Sequence, residues 1–142
     1  MKKLCKINRI LLFLLAINPT YSSADQGLIE PKKDTVYYAL LEGLKLLAVG
    51  DIETWISGSC DGIRLCSNAA EINHIRNHRA ALQEKIATSC LKKGGEALDI
   101  DHVVGNPEID IAVKIYLTCD EKDPPRFYSL RRTMDYWFFI SL

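Results

Sequence analysis

The sequence predicts an α+β domain in which N-terminal helices pack on a four-stranded antiparallel sheet. Apolar residues recur about every 3.6 residues as far as Leu91, and from Ala97 onward they recur every second residue. Glycine, proline and short polar clusters separate the segments of each kind. Because all the helical segments precede all the strands, instead of alternating with them, the α+β class is favoured over α/β.

Residues 1–24 have the composition of a secretory signal peptide. Basic side chains precede an uninterrupted apolar run of eight residues, Ile10 to Ile17, and Ser22 and Ala24 are the small residues that signal peptidase requires. That run is too short to cross a bilayer, which takes about 20 residues. We therefore expect cleavage after Ala24, a periplasmic or secreted product, and no stable membrane span after cleavage.

The predicted mature chain is acidic. The signal segment contains four of the 18 basic residues and none of the 18 acidic ones, which leaves 14 basic and 18 acidic residues and a net charge of −4. A nucleic-acid partner is excluded, because such proteins present a clustered basic face. We expect a flexible leader at residues 25–33 and a single domain at residues 34–142.

Four cysteines remain in this mature chain, an even number that favours two disulfides in an oxidising compartment. A zinc site is the alternative, but the spacing provides no close-spaced ligand pairs. We predict that Cys60 pairs with Cys66 within one short loop. Cys90 is predicted to pair with Cys119, because the first ends a long helix on its apolar side and the second ends the inward face of a strand.

Two helices are predicted at the start of the domain. Asp34 or Thr35 can cap the first helix by accepting a hydrogen bond from its first turn. Gly50 ends this helix, and Asp51 caps a short second one that contains Trp55, expected to be buried. The first helix has one apolar stripe, made of Val36, Leu40, Leu44 and Leu47.

A third, longer helix is predicted from the capping box at Asn68 and Glu71 to about Leu91. Its apolar face consists of Ile72, Ile75, Leu82 and Ile86. Helical projection places Arg79 in the middle of that face, where a guanidinium must be paired or reach a wet cavity. Arg79 is therefore a candidate anion-binding residue, and the alternative is a snorkelling or internally paired side chain.

The remaining segments alternate with the period of β-strands. In "IDIAVKIYLTC", one face consists of Ile109, Ile111, Val113, Ile115, Leu117 and Cys119. The preceding strand has a similar inward face made of Leu98, Ile100, His102 and Val104. The final "FYSLRRTMDYWFFISL" predicts two strands joined by a tight turn at Met134 and Asp135. The last strand is apolar on both faces, which is typical of a strand inside a sheet.

The stretches "LLAVGDIETW" and "YSLRRTMDYWFFISL" resemble the nuclear transport factor 2-like superfamily, most closely its small exported bacterial, lipoprotein-like domains of unknown function. Gly50–Asp51 and Trp137 match positions often seen at the first corner and last strand of that superfamily. The resemblance implies a cone-shaped fold whose curved sheet encloses a ligand pocket against the long helix. Enzymes, binding modules and assembly subunits share such folds, so the resemblance does not imply one activity.

Enzymes of this superfamily use Asp–His or Tyr–Asp pairs inside the cone, which makes His102 and Tyr116 candidates for acid–base work. Strand alternation would place Asp99 and Asp101 on the face opposite His102, so a partly buried structural histidine is the expectation. No catalytic residue is assigned.

The helix-forming stretch "EINHIRNH" contains a candidate metal site. Glu71, His74 and His78 follow one another at spacings of three and four, so they could bind a divalent transition metal. A solvated flank of the helix is the alternative, and we expect no metal and no cofactor.

These observations predict an exported, disulfide-stabilised, non-enzymatic binding or protein-interaction domain. Its expected partner is another exported protein or a small anionic ligand, with Arg79, His102 and Tyr116 as the candidate ligand-binding residues. Two alternatives remain open. One is a periplasmic immunity or inhibitor protein against a toxin or hydrolase, and the other is a small cone-pocket enzyme, an isomerase, hydratase or hydrolase.

Overall fold

A computed structural model describes residues 27–59 and 68–141. The predicted α+β class is confirmed, and helices precede the long strands. The helices are α1 (Val36–Ala48), α2 (Ile52–Ser59), α3 (Ala69–His74) and α4 (Ala80–Cys90). The strands are β1 (Leu28–Ile29), β2 (Leu91–Lys92), β3 (Ala97–Val104), β4 (Ala112–Leu117), β5 (Arg126–Thr133) and β6 (Tyr136–Ser141).

The first two helices form as predicted. The side chain of Thr35 accepts a hydrogen bond from the first turn of α1, and that of Asp51 does the same for α2. Gly50, with φ +74°, turns the chain between them in a conformation that residues with a Cβ rarely adopt. Trp55 is 2% exposed. The predicted stripe of α1 is buried in full: Val36, Leu40, Leu44 and Leu47.

A π-helical turn, Ile75–Arg79, joins α3 to α4 in one long helix, residues 69–90. In this turn the N–H of Ala80 donates to the carbonyl of Ile75, five residues back, so the turn holds one residue more than an α-helical turn. Arg76 in this turn donates two hydrogen bonds to Glu53 of α2, at 2.6 and 2.7 Å. The hydrogen bond from Arg76 lowers the pKa of Glu53.

The extra residue shifts the buried face of the long helix. Gln83, Ala87 and Cys90 are buried, one position after the residues that a regular α-helix would bury. Leu82 is instead 54% exposed and Ile86 is half-buried. The predicted apolar face of this helix is therefore wrong beyond the π turn.

The sheet is antiparallel, with strand order β1-β3-β4-β5-β6, and β2 also pairs with β3. The prediction of four strands missed β1 and β2, whose two residues each are too few to show a period. β1 also lies within residues 25–33, which were expected to form a flexible leader. β6 is at the end of this order, so it is an edge strand and not the interior strand that its apolar faces suggested.

β4 confirms the inward alternation only in part. Val113, Ile115, Leu117 and Cys119 are buried, whereas Ile109 and Ile111 precede the strand and are exposed. α1 packs against α4 and against β3, β5 and β6 to form the core.

A disulfide joins Cys90, the last residue of the long helix, to Cys119, which follows β4 by one residue. This pairing confirms the prediction. The predicted Cys60–Cys66 pairing lies outside the described residues.

Within residues 27–59 and 68–141, no helix has both the length and the apolar character needed to cross a membrane.

Candidate functional site

A groove of about 510 Å³ lies between the long helix and the segment that leads from the β4–β5 connection into β5. We call it the helix–loop groove. The helix contributes Arg79, Leu82, Gln83 and Ile86. The opposite side consists of Asp123, Pro124, Pro125, Arg126, Phe127 and Tyr128.

The π turn explains why the helix side of the groove is both apolar and charged. Leu82 would face the core in a regular helix, but the extra residue turns it out of the core and into the groove wall. Ile86 is rotated only to the border, where it packs against the core and also lines the groove. Arg79, the last residue of the π turn, is half-buried beside them. Arg79 therefore lies at a groove, which is one of the two environments that the sequence left open for it, whereas the apolar residues around it were misplaced.

The groove has more positive than negative charge. Arg79 forms no ion pair with any of the residues that the structure describes. On the opposite side, the guanidinium of Arg126 lies 3.8 Å from the carboxylate of Asp123. One carboxylate therefore faces two guanidinium groups, and the unpaired charge is that of Arg79.

The disulfide fixes the spacing between the two sides of the groove. The long helix ends at Cys90, and the β4–β5 connection begins at its partner Cys119. Tyr128, a buried groove residue, has its hydroxyl 3.6 Å from the sulfur of Cys90. The helix side and the loop side are thus linked covalently at one end.

Replacing Tyr128 with phenylalanine should reduce the loss of stability at high pH. Burial raises the pKa of Tyr128 to about 12, whereas an exposed tyrosine ionises near 10. Between these values the unfolded chain loses its proton first, so the folded state becomes less stable as pH rises. The contribution of protonated Tyr128 to the stability of the folded state is complete below about pH 10 and is lost above about pH 12.

Urea unfolding of the wild type and of Tyr128→Phe at pH 9 and pH 11.5 measures this effect. Between pH 9 and pH 11.5, the free energy of unfolding should fall by about 2 kcal/mol more in the wild type than in the variant. An equal fall in the two proteins would contradict a raised pKa of Tyr128 in the folded state.

His102 lies outside the groove, on the face of the sheet away from the core. Ile100 faces Leu117 and His102 faces Tyr116, so Asp101 is an extra residue that forms a β-bulge. The bulge reverses the alternation, and the expectation of an inward His102 is wrong for that reason. The same bulge brings the Asp101 carboxylate to 2.5 Å from Nδ1 of His102, although the two were expected on opposite faces.

Tyr116 joins His102 in a row of exposed and half-buried rings. The two rings are stacked with centroids 4.0 Å apart, and the ring of Phe127 follows at 5.6 Å from Tyr116. The Nζ atom of Lys114 lies 5.4 Å from the Phe127 centroid. Of the three candidate ligand-binding residues, Arg79 lines the groove, and His102 and Tyr116 do not.

The metal candidate is only partly assembled. The rings of His74 and His78 lie with centroids 5.2 Å apart. However, no group of three or more histidine, cysteine, aspartate or glutamate side chains in the described ranges is arranged to hold a metal ion. Glu71 therefore does not complete the site, and its backbone N–H donates to the side chain of Asn68 as a helix cap.

The sequence did not identify the loop side of the groove. "CDEKDPP" predicted only a polar turn, yet Pro124 and Pro125 in it form part of the groove wall. Two consecutive prolines restrict the backbone, and this rigidity was the available signal.

Comparisons with known proteins identify no relative: no family model matches the chain, and no curated protein or solved structure matches it either.

Proposed function

We propose that this protein is an exported, non-enzymatic binding domain whose helix–loop groove binds a group with a negative charge on an apolar body. The observation that carries the proposal is Arg79, a half-buried residue that lines the groove beside Leu82 and Ile86 and forms no ion pair with a described residue. Hydrogen bonds to charged groups contribute about 1.5–3 kcal/mol each, roughly twice the neutral value.

The size and lining of the groove also support a ligand. Its volume of about 510 Å³ lies within the range typical of small-molecule sites, roughly 300–1,000 Å³. Leu82, Ile86 and the two prolines provide apolar contact, and Arg79 provides orientation. This combination suits an amphiphilic anion better than a free inorganic one.

The placement of the acid–base candidates supports binding over catalysis. Neither His102 nor Tyr116 lines the groove, although the ring of Tyr116 lies 5.6 Å from that of Phe127, which does line it. Tyr128 does line the groove, but burial raises its pKa to about 12, so it stays protonated at neutral pH and cannot act as a base. In the alternative of a small cone-pocket enzyme, His102 or Tyr116 would therefore act from outside the lining of the groove.

Export and ancestry are parts of the same proposal. The Cys90–Cys119 disulfide supports an oxidising compartment, because such bonds are rare in reducing cytosol. The order of helices followed by an antiparallel meander supports a relationship to the nuclear transport factor 2-like superfamily, in which the groove would be the open end of the cone.

Octanoate and its uncharged analogue 1-octanol test the proposal in an NMR titration of the oxidised protein. Octanoate should bind more tightly and shift the signals of Leu82 and Ile86. Arg79→Gln should lower the affinity for octanoate about tenfold or more and leave the affinity for 1-octanol unchanged. Arg131→Gln removes an exposed charge from β5 outside the groove and should change neither affinity.

A second arm separates the two sources of the anion. An acetylated Leu-Leu-Asp-Leu peptide that binds more tightly than octanoate, and depends on Arg79, would identify a protein segment as the ligand. A weaker peptide would identify a small amphiphile. Equal affinities for octanoate and 1-octanol, or an unchanged octanoate affinity in Arg79→Gln, would overturn the proposal.

A further inference from the structure

Two histidines lie side by side on the exposed flank of the long helix. His74 is the last residue of α3, and His78 lies four residues later in the π turn. Both side chains are exposed, and their ring centroids are 5.2 Å apart. Neither of them lines the helix–loop groove. We call these two residues the histidine pair.

The spacing of the two rings suits one shared metal ion. Zinc binds imidazole nitrogens at about 2.0–2.1 Å and prefers tetrahedral angles, so two imidazoles on one zinc ion have ring centres roughly 5 Å apart. The centroids of the histidine pair are 5.2 Å apart, which is the same spacing. Because both side chains are exposed, each ring can rotate to direct a nitrogen at the ion without disturbing the core.

The charges around the histidine pair are largely engaged elsewhere. No ion pair in the described part of the chain includes either histidine of the pair. Arg76, which lies between the two histidines in the sequence, donates two hydrogen bonds to the carboxylate of Glu53, so its charge is offset. Arg79 follows His78 directly, but it is half-buried and lines the groove. The imidazoles are therefore free to accept a cation.

The number of protein ligands decides what kind of metal site this can be. The candidate from the sequence included Glu71 as a third ligand, but no group of three metal-binding side chains is assembled in the described ranges. Structural zinc sites are closed by four protein ligands, so two imidazoles leave the remaining positions to water. An ion held in this way exchanges with the solution. Imidazole favours zinc, copper and nickel, whereas magnesium and calcium prefer oxygen ligands.

We propose that the histidine pair binds one exchangeable divalent transition metal ion, of the zinc, copper and nickel class, with water in the remaining coordination positions. Both imidazoles are required, because each provides half of the protein ligands. π-Helical turns occur frequently at functional sites, and this one contains His78 as well as Arg79. The metal ion differs in charge from the anion proposed for the groove, so the two sites stand or fall separately.

Zinc titration of the oxidised protein tests this inference, with calorimetry to count the ions and NMR to follow the imidazole signals. The chain contains three histidines, so the third, His102, is the matched control. One zinc ion per chain should bind and should shift the ring signals of His74 and His78. His74→Gln and His78→Gln should each lower the affinity for zinc about tenfold or more. His102→Gln should leave the affinity for zinc unchanged.

Melting temperatures separate a metal site from a purely structural contact between the two rings. Without zinc, all three variants should melt close to the wild type, because the substituted side chains are exposed. Excess zinc should raise the melting temperature of the wild type and of His102→Gln more than that of His74→Gln or His78→Gln. Copper should bind more tightly than zinc, and manganese more weakly.

Three results would overturn the inference. The first is an equal affinity for zinc in the wild type and in both variants of the histidine pair. The second is a zinc-dependent change in the ring signals of His102 alone. The third is one zinc ion per two chains together with a dimer in sedimentation, because the ion would then be held by two chains and not by one pair and water.

Discussion

A chain that ends at residue 134, and so lacks β6, should not fold cooperatively. The deletion removes Phe139, which is 4% exposed, together with the half-buried Trp137, Phe138 and Ile140. Each large apolar side chain contributes roughly 1.5–3 kcal/mol when fully buried. A small domain has a total stability of about 5–15 kcal/mol, so the stability lost with β6 approaches the stability of the entire domain.

Near-ultraviolet circular dichroism and thermal unfolding of residues 25–134, made in an oxidising compartment, measure this result. No near-ultraviolet signal and no cooperative transition are expected. A melt close to that of residues 25–142 would mean that β6 is a tail and not part of the core.

The substitution Phe139→Ala removes one buried ring of β6 instead of the whole strand. The ring stands edge-to-face with two others, with its centroid 5.7 Å from that of Trp55 and 5.9 Å from that of Tyr128. Removing a buried phenylalanine costs about 3–5 kcal/mol. Tyr136→Ala is the matched control on the same strand, since Tyr136 is 70% exposed and should change stability by about 0.5 kcal/mol or less.

The second large effect is expected from the disulfide. The double variant Cys90→Ala and Cys119→Ala should lose about 3–4 kcal/mol, because a cross-link between residues 29 apart restricts the unfolded chain. Alanine is the appropriate replacement, since both sulfurs are buried and serine would introduce an unpaired hydroxyl.

Guanidinium unfolding of the oxidised wild type and of the double variant measures the difference. In reducing agent, the wild type and the double variant should unfold at nearly the same guanidinium concentration. Octanoate affinity should also fall in the folded variant, because the helix and loop sides of the groove are no longer joined. An unchanged unfolding midpoint would show that the bond does not restrict the unfolded chain as the loop-entropy model states.

The helical start of the domain was predictable because its signals are local. Thr35, Gly50 and Asp51 act on the backbone within one turn of their own positions, so neighbouring residues suffice to identify them. The hairpin turn at Met134 and Asp135 is equally local, and the structure places it there. The Cys90–Cys119 pairing also followed, since each cysteine ends an element on its buried side.

Two of the departures, those in β3 and in the long helix, share one physical origin, a single extra residue. Asp101 interrupts the period of β3, and the π turn interrupts the period of the long helix. Pattern analysis assumes an unbroken period, so every residue beyond the interruption was assigned to the wrong face, including His102 and Leu82. Neither interruption has a glycine or proline at it, so the sequence offered no local marker.

The candidate site was predictable only on the helix side. Arg79 was recognised because a charge stood within an apolar pattern, which is a conflict visible in the sequence. The loop side depends on where the β4–β5 connection lies in space, and no periodicity describes a connection. The small cavity that Trp55 and Trp137 line was missed for a similar reason, since α1, α2 and β6 are brought together only by the folded chain.

The π turn has a consequence for how this helix can vary. One extra residue rotates everything beyond it by about 100° around the helix axis. Leu82 and Ile86 therefore have two possible environments, the interior and the groove, and the residue count between Ile75 and Cys90 selects between them. In a homologous chain one residue shorter in this interval, the part of the helix beyond Ile75 would be rotated back by the same angle of about 100°. Such a chain would bury both side chains and have a helix surface with no apolar wall for a ligand.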